Sequence, residues 1–190
     1  MGNIMNTMTH QEEHDVIDRC LKGDDEAYAV LVDHYKVLAY TLAFRMLGDA
    51  DCANDVAQDS FLAAYEGLDR FRRMAKFSTW LATIVLNKCR DRLRSRRETV
   101  PIDDVTEVRS CGAPDPEALA NAHERTSALQ QALAALAPVD REVIILKHLE
   151  ELAYEEIAMI VGASVPALKV RAHRAREKLR ESLEKQGVAS

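Results

Sequence analysis

The sequence predicts an all-α protein of two small helical domains joined by a flexible acidic linker. Apolar residues recur at helical spacing along most of the 190-residue chain, and aromatic residues make up only 5% of it. Residues 98–124 break this pattern with three prolines, one glycine and many acidic side chains, as is typical of a linker. The expected domains are therefore residues 1–97 and 125–190, a size that suits two small domains.

Four helices are predicted before the linker, over about residues 15–21, 25–47, 50–68 and 78–96. The second has apolar residues along one side and ends at Gly48. Ser78 or Thr79 is expected to cap the fourth, because a hydroxyl can accept a hydrogen bond from a free N–H of the first turn.

After the linker, helices are predicted over about residues 118–136 and 138–149, followed by a helix-turn-helix. Its helices are residues 154–161 and 165 onward. Gly162 begins the turn, since glycine tolerates the left-handed conformation there. Ala158 is small enough for a close helix crossing. A helix-turn-helix places its second helix in the DNA major groove, and here that helix is basic.

Charge is strongly segregated along the chain, although the overall net charge is only −6. Residues 70–97 carry a net +9 and residues 169–190 a net +4. Residues 1–69, 98–124 and 125–168 carry −10, −6 and −3. Two basic segments in an acidic protein predict two separate nucleic-acid contacts.

The first basic segment, residues 70–97, mixes cations with Phe71, Phe77 and Trp80. Such a mixture suits single-stranded or melting DNA, because cations neutralise phosphates and aromatic groups receive unstacked bases. The alternative is that Phe77 and Trp80 simply fill the core. The basic residues form two neighbouring stripes of one helix: Lys88, Arg92 and Arg96, and Arg90, Arg94 and Arg97.

No residue pattern predicts an enzyme, a metal site or a cofactor. The chain has no nucleophile–base pair and no phosphate-binding loop, and its four cysteines form no CxxC pair. Cys89 is expected in the core, and Cys111 lies in the polar linker. We expect reduced cysteines without redox function, and neither a signal peptide nor a membrane-spanning helix.

Three segments, in this order and spacing, resemble the extracytoplasmic-function (ECF) group of bacterial sigma factors, the minimal branch of the sigma-70 family. They are DADCANDVAQDSFLAAYEGLDRF, which ends at Phe71, FSTWLATIVLNKCRDRLR at 77–94, and residues 136–183. The resemblance implies a cytoplasmic, non-enzymatic subunit that binds core RNA polymerase and promoter DNA. It also implies an anti-sigma factor partner. Residues 1–97 would be a sigma2-like domain and residues 125–190 a sigma4-like domain.

The resemblance also implies residue roles. Docking to the polymerase clamp would involve Asp55, Val56, Gln58, Asp59, Phe61 and Leu62. Recognition and melting of the downstream (minus-ten) element would involve Arg72, Arg73, Lys76, Phe77, Ser78, Thr79, Trp80, Asn87, Lys88, Arg90, Asp91 and Arg94. The upstream (minus-thirty-five) element would contact Ser164, Val165, Pro166, Ala167, Lys169, Val170, Arg171, Arg174 and Arg176. The helix at 138–149 would pack on the polymerase flap, and the linker would thread toward the RNA-exit channel.

The chain departs from the family pattern at Ala153, where a serine cap is common, which predicts a loss of about 1 kcal/mol unless another group compensates. A charged loop, residues 72–76, replaces the usual small polar one. Two other functions remain open. One is an operator-binding regulator in which residues 1–97 dimerise or sense an effector. The other is a protein–protein adaptor.

Overall fold

Helices make up most of the structure, a computed structural model that describes residues 8–73, 75–99 and 126–187. They are α1 (His10–Leu21), α2 (Asp25–Leu47), α3 (Ala50–Glu66), α4 (Phe77–Thr99), α5 (126–134), α6 (Pro138–Ile144), α7 (Tyr154–Val161) and α8 (Val165–Lys185). A 3₁₀ turn, Leu68–Arg70, follows α3, and a π-helical turn, Ile145–Leu149, continues α6. The described residues contain no strand, which confirms the all-α class. The start of the helix predicted from 118, most of the linker and Cys111 lie outside them.

Helix α1 begins five residues earlier than predicted. Thr9 Oγ1 accepts a hydrogen bond from the Glu12 N–H at 3.3 Å, and Glu12 Oε2 accepts one from the Thr9 N–H at 2.8 Å. This reciprocal capping box satisfies two N–H groups that would otherwise have no helical partner. The Thr-x-x-Glu signal was present in the sequence, and it adds a full turn to the helix.

The expected cap of α4 is wrong. Ser78 and Thr79 lie inside the first turn and are buried, so neither precedes the helix as a cap must. Instead, the Phe77 N–H donates a hydrogen bond to Glu13 Oε1 of α1 at 3.1 Å. A carboxylate is favourable at this position because it accepts from a free N–H and complements the helix dipole.

Helix α7 starts without a side-chain cap, as the alanine at position 153 predicts. Glu156 compensates in part, because its Oε2 accepts a hydrogen bond from the Ala153 N–H at 3.0 Å. The backbone of Ala153 already has the extended conformation of a cap residue, with φ −67° and ψ 150°. Half of a capping box is therefore present, and only the hydroxyl is missing.

Substitution Ala153→Ser is expected to raise the free energy of unfolding by about 1 kcal/mol, because the hydroxyl would accept the free N–H of the first turn. Urea denaturation of the full chain measures the change. Ala153→Val is the matched control, since it adds a side chain without an acceptor. Equal stabilities of the serine and valine variants would contradict the prediction.

The two halves of the chain, residues 8–99 and 126–187, pack against each other and share one apolar core. Gln130 Nε2 donates to the Phe44 carbonyl at 2.7 Å, and Arg141 Nη1 donates to the Met46 carbonyl at the end of α2. The Arg141 guanidinium also donates to the Ala134 carbonyl at 2.8 Å. Arg141 thus joins the carboxyl-terminal ends of two helices from different halves.

Two ion pairs also link the halves. Arg90 of α4 forms two parallel hydrogen bonds of 2.7 Å with both carboxylate oxygens of Glu142. Arg45 of α2 contacts Glu150 at 2.5 Å. Both carboxylates are buried. Burial raises the pKa of Glu150, and the Arg45 charge opposes this shift. The chain thus joins its halves through buried charges as well as apolar contacts.

Candidate nucleic-acid interface

The helix-turn-helix has the predicted geometry. Gly162 ends α7 in the left-handed conformation, with φ 68°, and its N–H donates to the Ala158 carbonyl at 3.0 Å. Helix α8 buries Leu168, Ala172 and Ala175 against the core, on one side of the helix. The remaining sides of α8 are therefore available to a ligand.

The residues predicted to read DNA lie on those outer sides. Val165 and Arg171 are half-buried, and the others are exposed: Ser164, Pro166, Ala167, Lys169, Val170, Arg174 and Arg176. Arg171 Nε lies 3.8 Å from Asp140, which also lies 3.8 Å from Lys178 Nζ. Asp140 of α6 thus draws two cations of α8 toward its own helix.

Aromatic side chains from α2, from α4 and from the loop before α4 cluster where the first basic segment begins. The Phe77 ring lies 5.8 Å from Phe71, 5.3 Å from Tyr35 and 5.6 Å from Trp80, measured between centroids. Phe77 has no exposed surface, and Trp80 is half-buried. The core interpretation therefore holds for Phe77. Together with Ser78 and Thr79 it lies in the interior rather than where DNA could touch it.

Some cations of the loop before α4 are exposed, and another is paired within the protein. Arg72 and Lys76 are exposed. Arg73 instead forms an ion pair with Asp18 of α1, and its backbone has a φ of 55°, in the left-handed region. The hydrogen bond from Arg73 lowers the pKa of Asp18. Among the predicted downstream contacts, Arg73 is thus already paired within the protein.

Carboxylates also neutralise several cations of α4. Besides the Arg90–Glu142 pair, Arg94 contacts Asp91 at 2.6 Å. The other close pairs are Arg92 with Asp55 at 4.0 Å and Arg96 with Asp49 at 3.5 Å, and Arg90 Nη1 donates to Asn87 Oδ1 at 2.6 Å. The stripe of Arg92 and Arg96 therefore faces α3, whereas Arg90 faces the second half of the chain. Lys88 is half-buried.

The residues of α3 that are predicted to dock on the polymerase fall into two groups, one exposed and one buried. Asp55, Gln58, Asp59 and Leu62 are exposed and share one face, and Leu62 has 64% of its surface accessible. Val56 and Phe61 point inward and are buried. Val56 thus supports any docking only by holding the helix in place, whereas Phe61 also lines a groove beside the helix.

A mostly apolar groove of about 600 Å³, which the sequence analysis missed, runs between α2 and α3 beside Leu62. Its walls hold two tyrosines: Tyr28 and Tyr65 pack edge to face at 4.8 Å, and the Tyr65 hydroxyl donates to Asp25 at 2.7 Å. The lining residues are Asp25, Tyr28, Val32, Gln58, Phe61, Leu62 and Tyr65. The groove joins the exposed face of α3 into one surface with an apolar centre.

The cysteines within the described residues do not form a site. Cys20 and Cys89 are buried, and burial raises the pKa of the Cys89 thiol to about 12. Cys52 lies 3.6 Å from Arg92 Nη2. Over residues 8–73, 75–99 and 126–187, no group of three His, Cys, Asp or Glu side chains is arranged to hold a metal. Nor is any helix there long and apolar enough to cross a bilayer.

An all-α fold with a helix-turn-helix and a second basic surface is typical of DNA-binding proteins. Two family models match the chain: Sigma-70 region 2 over residues 31–99 and Sigma-70, region 4 over residues 126–179. The ECF RNA polymerase sigma factor SigW of Bacillus subtilis is 37% identical, over 88% of this chain and 94% of that protein. The ECF RNA polymerase sigma-E factor of Salmonella typhimurium is 33% identical, over 85% and 89%.

Among solved structures, CnrH in complex with the cytosolic domain of CnrY has a TM-score of 0.69 and 28% identity. The match covers 91% of this chain and 97% of CnrH. The chain belongs to the ECF sigma factors of the sigma-70 family. It is a promoter-specificity factor of RNA polymerase and not an enzyme.

Proposed function

We propose that the chain divides promoter recognition between its two halves. Residues 1–97 bind the polymerase clamp and recognise and melt the minus-ten element. Residues 125–190 read the minus-thirty-five element, and residues 98–124 link them. The observation that supports this division is that the chain has two basic surfaces, one on α4 and one on α8. Each lies within a different sigma-70 region. An operator-binding regulator needs only the second surface.

For the downstream element, Arg72, Lys76 and the accessible part of Trp80 would meet the DNA first. Their exposure at the loop and at the first turn of α4 supports this role. Exposed cations neutralise phosphates, and an indole provides a stacking partner for a base that has left the duplex. Asn87, Lys88, Asp91 and Arg94 would extend the contact along α4, and Arg90 would join after leaving Glu142.

For the upstream element, α8 would enter the major groove. Lys169, Arg174 and Arg176 would contact phosphates or base edges, since arginine can bond to two acceptors of guanine at once. Ala167 and Val170 carry no side-chain donor. Their apolar, exposed surface fits a thymine methyl group.

Core polymerase would dock on the exposed face of α3 and the adjoining groove, through Asp55, Gln58, Asp59 and Leu62. A surface with an apolar centre and charged rim is typical of a protein interface. The helix Pro138–Ile144 and the turn after it would pack on the polymerase flap. Because a sigma factor works on RNA polymerase, its location would be the cytoplasm.

An anti-sigma factor would regulate the chain by covering these polymerase-docking surfaces. Support comes from the groove between α2 and α3, whose apolar lining is open to solvent, and from the similarity to CnrH, whose structure contains the cytosolic domain of CnrY. Purification from the native host under non-inducing conditions tests this partner. A chain recovered without any bound inhibitor would contradict it.

The assay for the function as a whole is transcription in vitro, with core RNA polymerase on a library of candidate promoters, in the presence and absence of the protein. Specific transcripts that appear only with the protein support the proposal, and their start sites locate both promoter elements. Binding to duplex DNA without any redirection of core polymerase would instead favour the operator-binding regulator.

The two halves are expected to have separable effects on a promoter. Arg174→Ala should weaken binding to the upstream duplex about tenfold and reduce its salt dependence, because one phosphate or base contact is lost. Trp80→Ala should leave duplex binding unchanged and slow strand opening, measured with a fluorescent base analogue in the minus-ten region. Lys76→Ala should act in the same direction as Trp80→Ala. If all three variants altered only duplex binding, the melting role would be wrong.

A further inference from the structure

Helix α1 contacts the loop that precedes α4 at Arg73 and also contacts Phe77, the first residue of α4. The described part of this loop is residues 71–73 and 75–76. Glu13 of α1 accepts the N–H of Phe77, directly after the loop, and Asp18 of α1 binds Arg73 near its start. These two carboxylates lie five residues apart on one helix, so α1 connects Arg73 of the loop to the start of α4.

Glu13 is the inner support. Its side chain is 5% exposed, and its second oxygen accepts the Tyr35 hydroxyl at 2.5 Å. A buried carboxylate is costly unless donors surround it, and here two donors and the amino terminus of α4 do so. Burial and this hydrogen bond raise the pKa of Tyr35, so the hydroxyl keeps its proton to donate. The start of α4 is therefore fixed relative to α1 and α2.

Asp18 is the outer support, and it acts at a strained residue. Arg73 has a left-handed backbone conformation, which is unfavourable for a residue with a side chain. The ion pair with Asp18 opposes this cost and turns the Arg73 side chain toward α1. Its neighbours Arg72 and Lys76 remain exposed. The pairing thus decides which loop cations are offered to a ligand and which is withheld.

We propose that Asp18 and Glu13 are positioning residues that set the base preference of the α3–α4 loop at the minus-ten element. This inference rests on the proposed role of the first half in binding the non-template strand. The carboxylates do not touch DNA. They hold Arg73 and the start of α4 in place before DNA arrives, so that a flipped base meets a preorganised surface. In the sequence, Glu13 and Asp18 are simply two acidic residues on a short helix. Such a pattern is typical of a solvent-exposed helix and does not indicate a positioning role.

The test uses holoenzyme assembled from core RNA polymerase and either the wild-type chain or Asp18→Asn. The probes are single-stranded oligonucleotides carrying the non-template strand of a promoter that the wild type transcribes, with each minus-ten base replaced in turn. Asp18→Asn is expected to reduce the discrimination between matched and replaced bases about threefold, in line with a partly exposed ion pair. Asp15→Asn, which makes the same charge change on the exposed side of α1, is the control and should discriminate like the wild type.

Two further readouts separate positioning from general structural damage. Affinity for core polymerase should be the same in Asp18→Asn and wild type, and the thermal midpoint should fall by about 4 °C at most, the shift expected for the loss of one partly exposed ion pair. Arg73→Ala should reproduce the loss of discrimination, and the double variant should lose no more than either single variant, because the pair acts as one unit. Additive losses would mean that Arg73 contacts DNA directly, which overturns the inference.

The outcomes also distinguish this inference from the proposed function. If the wild-type holoenzyme discriminates among the oligonucleotides and Asp18→Asn does so equally well, only the positioning role fails. If the wild-type holoenzyme prefers no oligonucleotide, the proposed function of the first half fails, whatever Asp18 does.

Discussion

Arg90→Ala is expected to separate the two halves of the free protein. In the packed arrangement Glu142 is 1% exposed and depends on both hydrogen bonds from Arg90. Removing one partner of a fully buried pair costs about 3–5 kcal/mol, and because the Arg90 side chain is 36% exposed, solvent reduces the expected cost here to about 2 kcal/mol. Glu142 avoids this cost if the halves part and water reaches it. A shift of that size changes an equilibrium by about thirtyfold.

Small-angle X-ray scattering measures this prediction as an increase in the radius of gyration. Arg94→Ala is the matched control, because Arg94 lies one turn further along α4 and its pair with Asp91 is exposed. Surface pairs contribute little, so the control should stay compact. The exchanged pair Arg90→Glu with Glu142→Arg should recover part of the compactness. An Arg90→Ala chain as compact as wild type would show that the pair does not hold the halves together.

The same pair relates packing to promoter binding. While Arg90 donates to both oxygens of Glu142, its guanidinium cannot offer those donors to a phosphate. Under the proposed function, the packed arrangement therefore leaves Arg90 only the N–H groups that do not face Glu142 for a contact with DNA. For the donors held by Glu142 to reach a phosphate, promoter binding would have to supply the free energy that breaks the pair, and phosphates are suitable competitors for an arginine.

Phe77→Ala is expected to lower the free energy of unfolding by about 3–5 kcal/mol, as large-to-small changes in a core do. Its ring packs on Phe71, Tyr35 and Trp80 and fills the space where α1, α2 and α4 meet. Phe77→Leu keeps most of that volume and should cost about 1.5 kcal/mol or less. Urea denaturation monitored by circular dichroism gives both values.

Leu62→Ala is the comparison for this second prediction. Leu62 is 64% exposed, so its truncation should leave stability within about 0.5 kcal/mol of wild type while weakening the proposed binding to core polymerase. Unchanged stability in Phe77→Ala, accompanied by weaker DNA binding, would refute the core role of Phe77. It would restore the interpretation of this ring as a DNA contact.

Local signals predicted most of the helices. The bounds of α2 and the order of α7, turn and α8 followed from apolar spacing and from two glycines, Gly48 and Gly162, which both have positive φ. The sequence analysis missed the start of α1, although Thr9 and Glu12 form the Thr-x-x-Glu pattern of a capping box there. In each case the information lies within a few residues of the element, because capping and periodicity are local effects.

The candidate site was less predictable because its contacts join distant residues. Glu13 caps a helix that starts 64 positions later, and Arg90 meets Glu142 across 52 positions. Charge counts located the two basic segments, but they could not show that Arg73 and Arg90 form ion pairs within the protein. The packing of α4 against α1, α3 and α6 decides which cations remain for a ligand.

The π-helical turn after α6 has a consequence for the length of the chain. The Glu150 N–H donates to the Ile145 carbonyl at 3.0 Å, five positions back, so this turn holds one residue more than an α-helical turn. That extra residue helps Glu142 to face Arg90 while Glu150 faces Arg45. A deletion of one residue between the two carboxylates would rotate one of them away from its arginine. This segment therefore tolerates exchanges of side chains far better than changes in its number of residues.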